Sequence, residues 1–139
     1  MLRTYAETGA CGASTTEKEH TVAGMAHKSI DSPDETRTFD KGKIEVVNVG
    51  DLTFGRATFE PGWKWSECVK PIAGTDSCEA SHNGYIVSGR MHIKMDDGTE
   101  SDLGPGDVFV AAPGHDAWIL GDEACVALDF SGAANYAKG

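Results

Sequence analysis

The chain lacks any apolar run approaching the ~18–20 residues that a membrane-crossing helix needs. The N-terminus lacks the charged-then-apolar order of a secretion signal, and it is too acidic for an organellar transit peptide. The expectation is a cytoplasmic protein without membrane contact. Basic charge is scarce: 12 Lys and Arg stand against 22 Asp and Glu, for a net charge of −10. The basic residues are scattered, so no patch offers itself to nucleic-acid phosphate. No CxxC occurs, and Cys11, Cys68, Cys78 and Cys125 are irregularly spaced. Neither a disulfide framework nor a zinc ribbon follows from them. Cys125, inside the apolar run Ala124–Leu128, reads as a small buried hydrophobe. Almost no helical period is present.

What is present is glycine and alternation. The 139 residues hold 17 glycines, with 40% hydrophobic and 24% charged content, which fits one soluble domain rich in tight turns. Residues 1 to about 24 show little periodic hydrophobicity and read as a flexible extension, bounded at 35, with Met25 as an alternative start. From residue 36 the pattern changes. Ile44–Val49 is β-branched and ends on Gly50-Asp51, and Leu52–Phe59 alternates. Trp63 and Trp65 bracket Lys64 in the same strand-like manner. A longer connection, Lys70–Ala80, precedes Tyr85-Ile86-Val87. Met91, Ile93 and Met95 alternate with Arg90, His92 and Lys94, and Asp96-Asp97-Gly98 is a hairpin turn. Val108–Ala111, Ala117–Leu120 and Ala124–Phe130 complete eight to ten short strands. Such spacing predicts an all-β, antiparallel sandwich or barrel over 36–133, with 134–139 as a tail.

Two glycine-marked stretches carry more than turns. In the first, five residues separate Gly62 from Cys68, and six separate His82 from Gly89. In the second, Gly106 leads to Ala112-Pro113-Gly114-His115. This frame, over roughly residues 40–132, resembles the cupin superfamily. It also resembles a group of small single-domain cupins, through its Pro61-Gly62-Trp63-Lys64-Trp65-Ser66-Glu67 stretch and its Pro113-Gly114-His115-Asp116-Ala117-Trp118 stretch. The resemblance implies a jelly-roll β-barrel, a divalent metal inside it, and a homodimer formed through the sheets. The family's histidine and glutamate ligands are partly replaced. Cys68 and Lys70 hold the two histidine positions of the first motif, and His82 holds the glutamate position. Ala117 holds the second-motif histidine position, with His115 two residues earlier.

Side chains two apart on a strand share a face. Cys68, His82 and His115 are therefore expected to converge on the interior as metal ligands. Cys78, four residues before His82, joins them if the long loop folds over the barrel mouth. Thiolate with imidazole suits zinc; iron, nickel and copper are alternatives. Glu67, Glu79 and Asp116 are further candidates for supporting the site. Four protein ligands would make a closed structural site, whereas three leave a position for water and chemistry. Trp65 and Trp118 are expected to wall a cavity for a small organic molecule, with Lys70 holding an anionic group at the mouth. His92, between Arg90 and Lys94, is expected to face solvent. Two functions fit. One is a metal-dependent enzyme performing oxygen chemistry, isomerisation or hydrolysis. The other is a non-catalytic binding or sensing module with a structural metal or none.

Overall fold

The computed structural model of the chain describes residues 24–131, 133, 134, 136 and 137. Most of the expected N-terminal extension, with Cys11 and His20, lies outside the described residues. Nine strands are present among them: β1 (Glu35–Phe39), β2 (Gly42–Val49), β3 (Leu52–Phe59), β4 (His82–Ser88), β5 (Arg90–Met95), β6 (Glu100–Leu103), β7 (Val108–Ala111), β8 (His115–Leu120) and β9 (Cys125–Asp129). They form a six-stranded sheet, β1-β2-β3-β9-β4-β7, and a three-stranded sheet, β6-β5-β8. Every strand pairing is antiparallel.

The alternation seen in the sequence sets the inward face. Ile44 and Val46 of β2, Ala57 and Phe59 of β3, and Ile86 of β4 are buried from one sheet. Met91 of β5 and Ala117 and Ile119 of β8 are buried from the other. Ile86 is 0% exposed; burying a side chain of this kind contributes about 1.5–3 kcal/mol. Cys125 is also fully buried, and burial together with nearby Glu123 pushes its thiol up to about 11, as befits an inert packing residue. The hairpin turn after β5 is as expected: Gly98 adopts a φ of 95°, where a side chain would be strained. Gly84 is required for another reason. A Cβ there would stand 2.1 Å from the Leu128 carbonyl oxygen, so only glycine lets β4 lie this close to β9.

The strand-like character expected from Trp63 to Lys70 is not found, and the segment runs on into the expected long connection. It folds into two single-turn helices, α1 (Trp65–Cys68) and α2 (Lys70–Ala73). Pro71 is tolerated in the first turn of α2, and Gly74, at φ 75°, ends it in the left-handed conformation. Hydrogen bonds at three points fix this segment to β8, one of them from the Ser66 amide to Asp116 Oδ1 at 3.1 Å. The Ile119 amide donates to the Trp63 carbonyl at 3.0 Å, and Cys78 pairs with His115 as an isolated bridge.

Candidate metal centre between the sheets

Cys78, His82 and His115 come together in the lining of the cavity between the two sheets. Each arrives by a different local device. His82 opens β4, where period two turns it inward with Gly84 and Ile86. His115 opens β8 and shares its inward face with Ala117 and Ile119. Cys78 lies in the loop, held by backbone bonds: its amide donates to the His115 carbonyl at 2.7 Å, and the Gly114 amide donates to its carbonyl at 2.7 Å. The long loop is thereby fastened to the start of β8, which brings Cys78 beside His82 and His115. Cys78 and His115 are 3% and 4% exposed.

The imidazoles are oriented from behind. His82 Nδ1–H donates to Asp129 Oδ2 at 2.5 Å, and His115 Nδ1–H donates to the Ala112 carbonyl at 2.8 Å. Both Nε2 atoms are thus free for the cluster. Cys78 Sγ lies 3.7 Å from His82 Nε2. The donor atoms of the three residues all lie within 4.8 Å of one another. Around a tetrahedral zinc, bond lengths of about 2.3 Å to sulfur and 2.0–2.1 Å to nitrogen put the S···N edge at about 3.6 Å. The observed edge matches, so these residues fit a thiolate- and imidazole-bound divalent ion. Outward hydrogen bonds from ligand imidazoles to a carboxylate and a carbonyl are what such sites use to fix tautomer and ring direction.

The electrostatics agree with the geometry. Burial alone would push the Cys78 thiol up, but hydrogen bonds with His115 and His82 outweigh it and bring the thiol down to about 6. Burial would lower His82, whereas the Asp129 carboxylate and Cys78 thiolate hold it up at about 9. Tyr136 lines the same cavity, its ring 5.4 Å from that of His82. Its hydroxyl is pushed well up, first by burial and then by the negative charge of Cys78 and Asp129. Arg37 secures this segment by donating to the backbone carbonyls of Ala133, Tyr136 and Ala134 at 2.9, 2.6 and 2.9 Å.

Several expected site residues fall elsewhere. Cys68, expected beside His82 and His115, is turned away because its segment is helical. It shares a buried helix face with Trp65, and its Sγ lies 3.8 Å from Asp40 Oδ2. Lys70 points from α2 toward Asp76, at 3.6 Å, and lines neither the cavity nor its mouth. Trp118 is one residue out of phase with Ala117, so it faces outward. There it stacks on His92 at 4.6 Å, under the Lys64 ammonium. His92 is on this outer face as expected, bonded to Asp102 and Glu100. Trp65 does wall the cavity. Sequence reasoning missed Asp129 and Tyr136. A signal for Asp129 existed: counting by twos from Cys125 through Ala127 places this acid on the buried face. Tyr136 has no such pattern around it.

No family model matches the sequence. No curated protein matches it either. Among solved structures, an RmlC-like cupin from Shewanella frigidimarina superposes with a TM-score of 0.52 at 21% identity, over 84% of this chain and 93% of that one. A sugar phosphate isomerase of the cupin superfamily from Silicibacter pomeroyi gives 0.52 at 19% identity, over 73% and 71%. Oxalate decarboxylase from Lactobacillus farciminis, in its formate complex, gives 0.52 at 18% identity over 73% of this chain, which spans only 32% of that protein. Identities this low speak to architecture alone. Strand order, antiparallel pairing, a site between facing sheets and these likenesses lead to one conclusion: the chain has the cupin fold.

Proposed function

We propose that the protein binds a divalent metal ion on Cys78, His82 and His115, and a small organic molecule beside it, as a metal-dependent enzyme. The observation that carries this reading is the convergence of three donor atoms within 4.8 Å, with both imidazoles held from behind through Nδ1. A bound ion would supply a Lewis acid and, with only three protein ligands, a position for an acidified water or a substrate atom. The chain's own residues do the rest. Asp129 fixes the His82 tautomer, and the Ala112 carbonyl fixes that of His115. The Tyr136 ring packs against His82 and excludes water, while the apolar walls receive the organic part of the ligand. Zinc is the proposed ion on the softness of its ligands, with iron, nickel or copper as alternatives. The test is metal content after loading and desalting. One equivalent is expected, falling sharply in His82→Ala; unchanged content in that variant would remove His82 from the site.

A second reading rests on the same distances. Without an ion, the 3.7 Å and 2.5 Å contacts link Cys78, His82 and Asp129 as nucleophile, base and orienting acid. A Cys78 adduct formed during turnover with a substrate ester would support it. Turnover that depends wholly on added metal would oppose it.

The proposal includes a homodimer through the outer face of the six-stranded sheet. Val87, Val108 and Val110 are 46%, 78% and 83% exposed there, beside Tyr85. Sedimentation giving the mass of one chain would contradict it. A cytoplasmic location is part of the same reading, since Cys68, Cys78 and Cys125 are all free thiols. No helix among the described residues is long and apolar enough to cross a membrane.

A further inference from the structure

A second cluster of titratable side chains lies on the outer face of the three-stranded sheet. His92 of β5 reaches β6 with both ring nitrogens: Nδ1 to Asp102 Oδ1 at 2.5 Å, and Nε2 to Glu100 Oε1 at 2.7 Å. An ionised carboxylate only accepts, so both nitrogens must donate, and only the imidazolium carries both protons. The ring also stacks on Trp118 of β8, with centroids 4.6 Å apart and planes at 28°. The Lys64 ammonium stands 5.0 Å from the centroid of that indole. The His92 side chain is left 17% exposed.

Little else holds β6. It is the edge of its sheet and pairs only with β5, over Glu100–Leu103. Glu100, Ser101 and Asp102 are exposed, and of the four residues only Leu103 packs against the core. An exposed ladder with few buried apolar contacts marks an element that opens early. Glu100 and Asp102 are two positions apart and share a face. Other charges stand nearby. Arg90 and Lys94 flank His92 on the same face of β5, and Lys94 lies opposite Glu100 on β6 and Asp116 on β8. Asp116 is occupied with the amides of Ser66 and Ala117. Among the described residues, His92 is the one cation paired with either Glu100 or Asp102.

We propose that His92 is a pH-sensitive latch, which fastens edge strand β6 to β5 as the imidazolium and lets it open on losing a proton. The neutral ring keeps one donor, so its other nitrogen would face a carboxylate oxygen lone pair to lone pair. Met91 and Ile93, on either side of His92 in the chain, line the cavity, so the latched strand is also a cavity wall. The device does not rest on the metal-binding reading. Its direction follows from its neighbours. Asp102 and then Glu100 raise the imidazole above its ordinary 6.5, against the downward push of burial. The folded value is the raised one, so the latch is fully closed below the ordinary value and is lost as pH rises through the folded midpoint.

The experiment uses the full chain labelled with ¹⁵N. Long-range proton–nitrogen spectra of the imidazole rings give the His92 midpoint, assigned with His92→Gln. Hydrogen exchange, corrected for its intrinsic pH dependence, gives the protection of the β6 amides on the same protein. The midpoint is expected above 6.5. Protection of β6 should fall at least about ten-fold across it, while that of β2 and β3 holds. In His92→Gln, β6 should be poorly protected at both ends of the titration. Should that variant not fold, Glu100→Gln with Asp102→Asn alters exposed groups only; it identifies the His92 resonance and should bring its midpoint down. A midpoint at or below 6.5 overturns the latch. So does β6 protection that is equal on both sides of the midpoint, or that His92→Gln leaves at the wild-type level at low pH.

Discussion

Alkylation of Cys78 in the metal-free protein should titrate far below an ordinary thiol. The perturbation is pH, and the reaction is with iodoacetamide, followed residue by residue by peptide mass spectrometry. The Cys78 thiol sits at about 6 against an ordinary 9.0, because hydrogen bonds with His115 and His82 overcome the upward push of burial. At pH 7 about 90% of Cys78 is then thiolate, against about 1% for an ordinary thiol, an advantage of about 90-fold. A less basic thiolate is also a poorer nucleophile. With a Brønsted coefficient of about 0.4–0.5, the drop from 9.0 to about 6 costs about 15–30-fold. The net gain at pH 7 is only about three- to six-fold, and burial reduces it further. Absolute rate is therefore a weak test, and the midpoint is the strong one, since access cancels along a single profile. The sign is fixed: the folded value is depressed, so the reactive form is gained as pH rises through 6 and is complete by about pH 7. His82→Gln removes one partner, leaves burial in place and should move the midpoint upward. A wild-type rate still climbing ten-fold between pH 7 and 8 would refute the reasoning.

Two further substitutions follow from the supports of the site. Asp129→Asn keeps the shape but withdraws the charge behind His82; zinc affinity should fall about 10–100-fold in competition with a chelator, as is usual for such partners. Equal affinity would mean that the carboxylate does not tune the ligand. Arg37→Ala removes three bonds to the C-terminal carbonyls. At about 1.5–3 kcal/mol for a charged hydrogen bond, with part recovered by water, a loss of about 3 kcal/mol in chemical denaturation is expected. Cys78 should also be alkylated faster as Tyr136 loosens; a labelling rate equal to wild type would contradict that packing role.

The strands were legible because alternation and turn pairs act locally. Asp96-Asp97-Gly98 and Gly121-Asp122-Glu123 stand at the expected bends, and the inward residues of β2, β3 and β8 follow by counting in twos. His82, His115 and Cys78 were legible through the cupin frame and the short step from Cys78 to His82. The single-turn helices at 65–73 were not, since four residues are too few to show a 3.6-residue period. That one error displaced Cys68 and Lys70, whose shared face presumed a strand. Trp118 was misplaced by a single residue of parity, which in a strand reverses the direction of the side chain. The position of Cys78 depends on a bridge to His115, 37 positions along the chain, and the position of Tyr136 on Arg37. Such long-range contacts leave no local pattern.

The metal centre itself is tested most directly by loading the protein with cobalt(II), whose thiolate charge-transfer absorption in the near ultraviolet reports a sulfur ligand. Wild type and Cys68→Ser are predicted to show the band at one equivalent of cobalt, with Cys78→Ser losing it. A band that survives in Cys78→Ser and disappears in Cys68→Ser would contradict the assignment of the site to Cys78, His82 and His115.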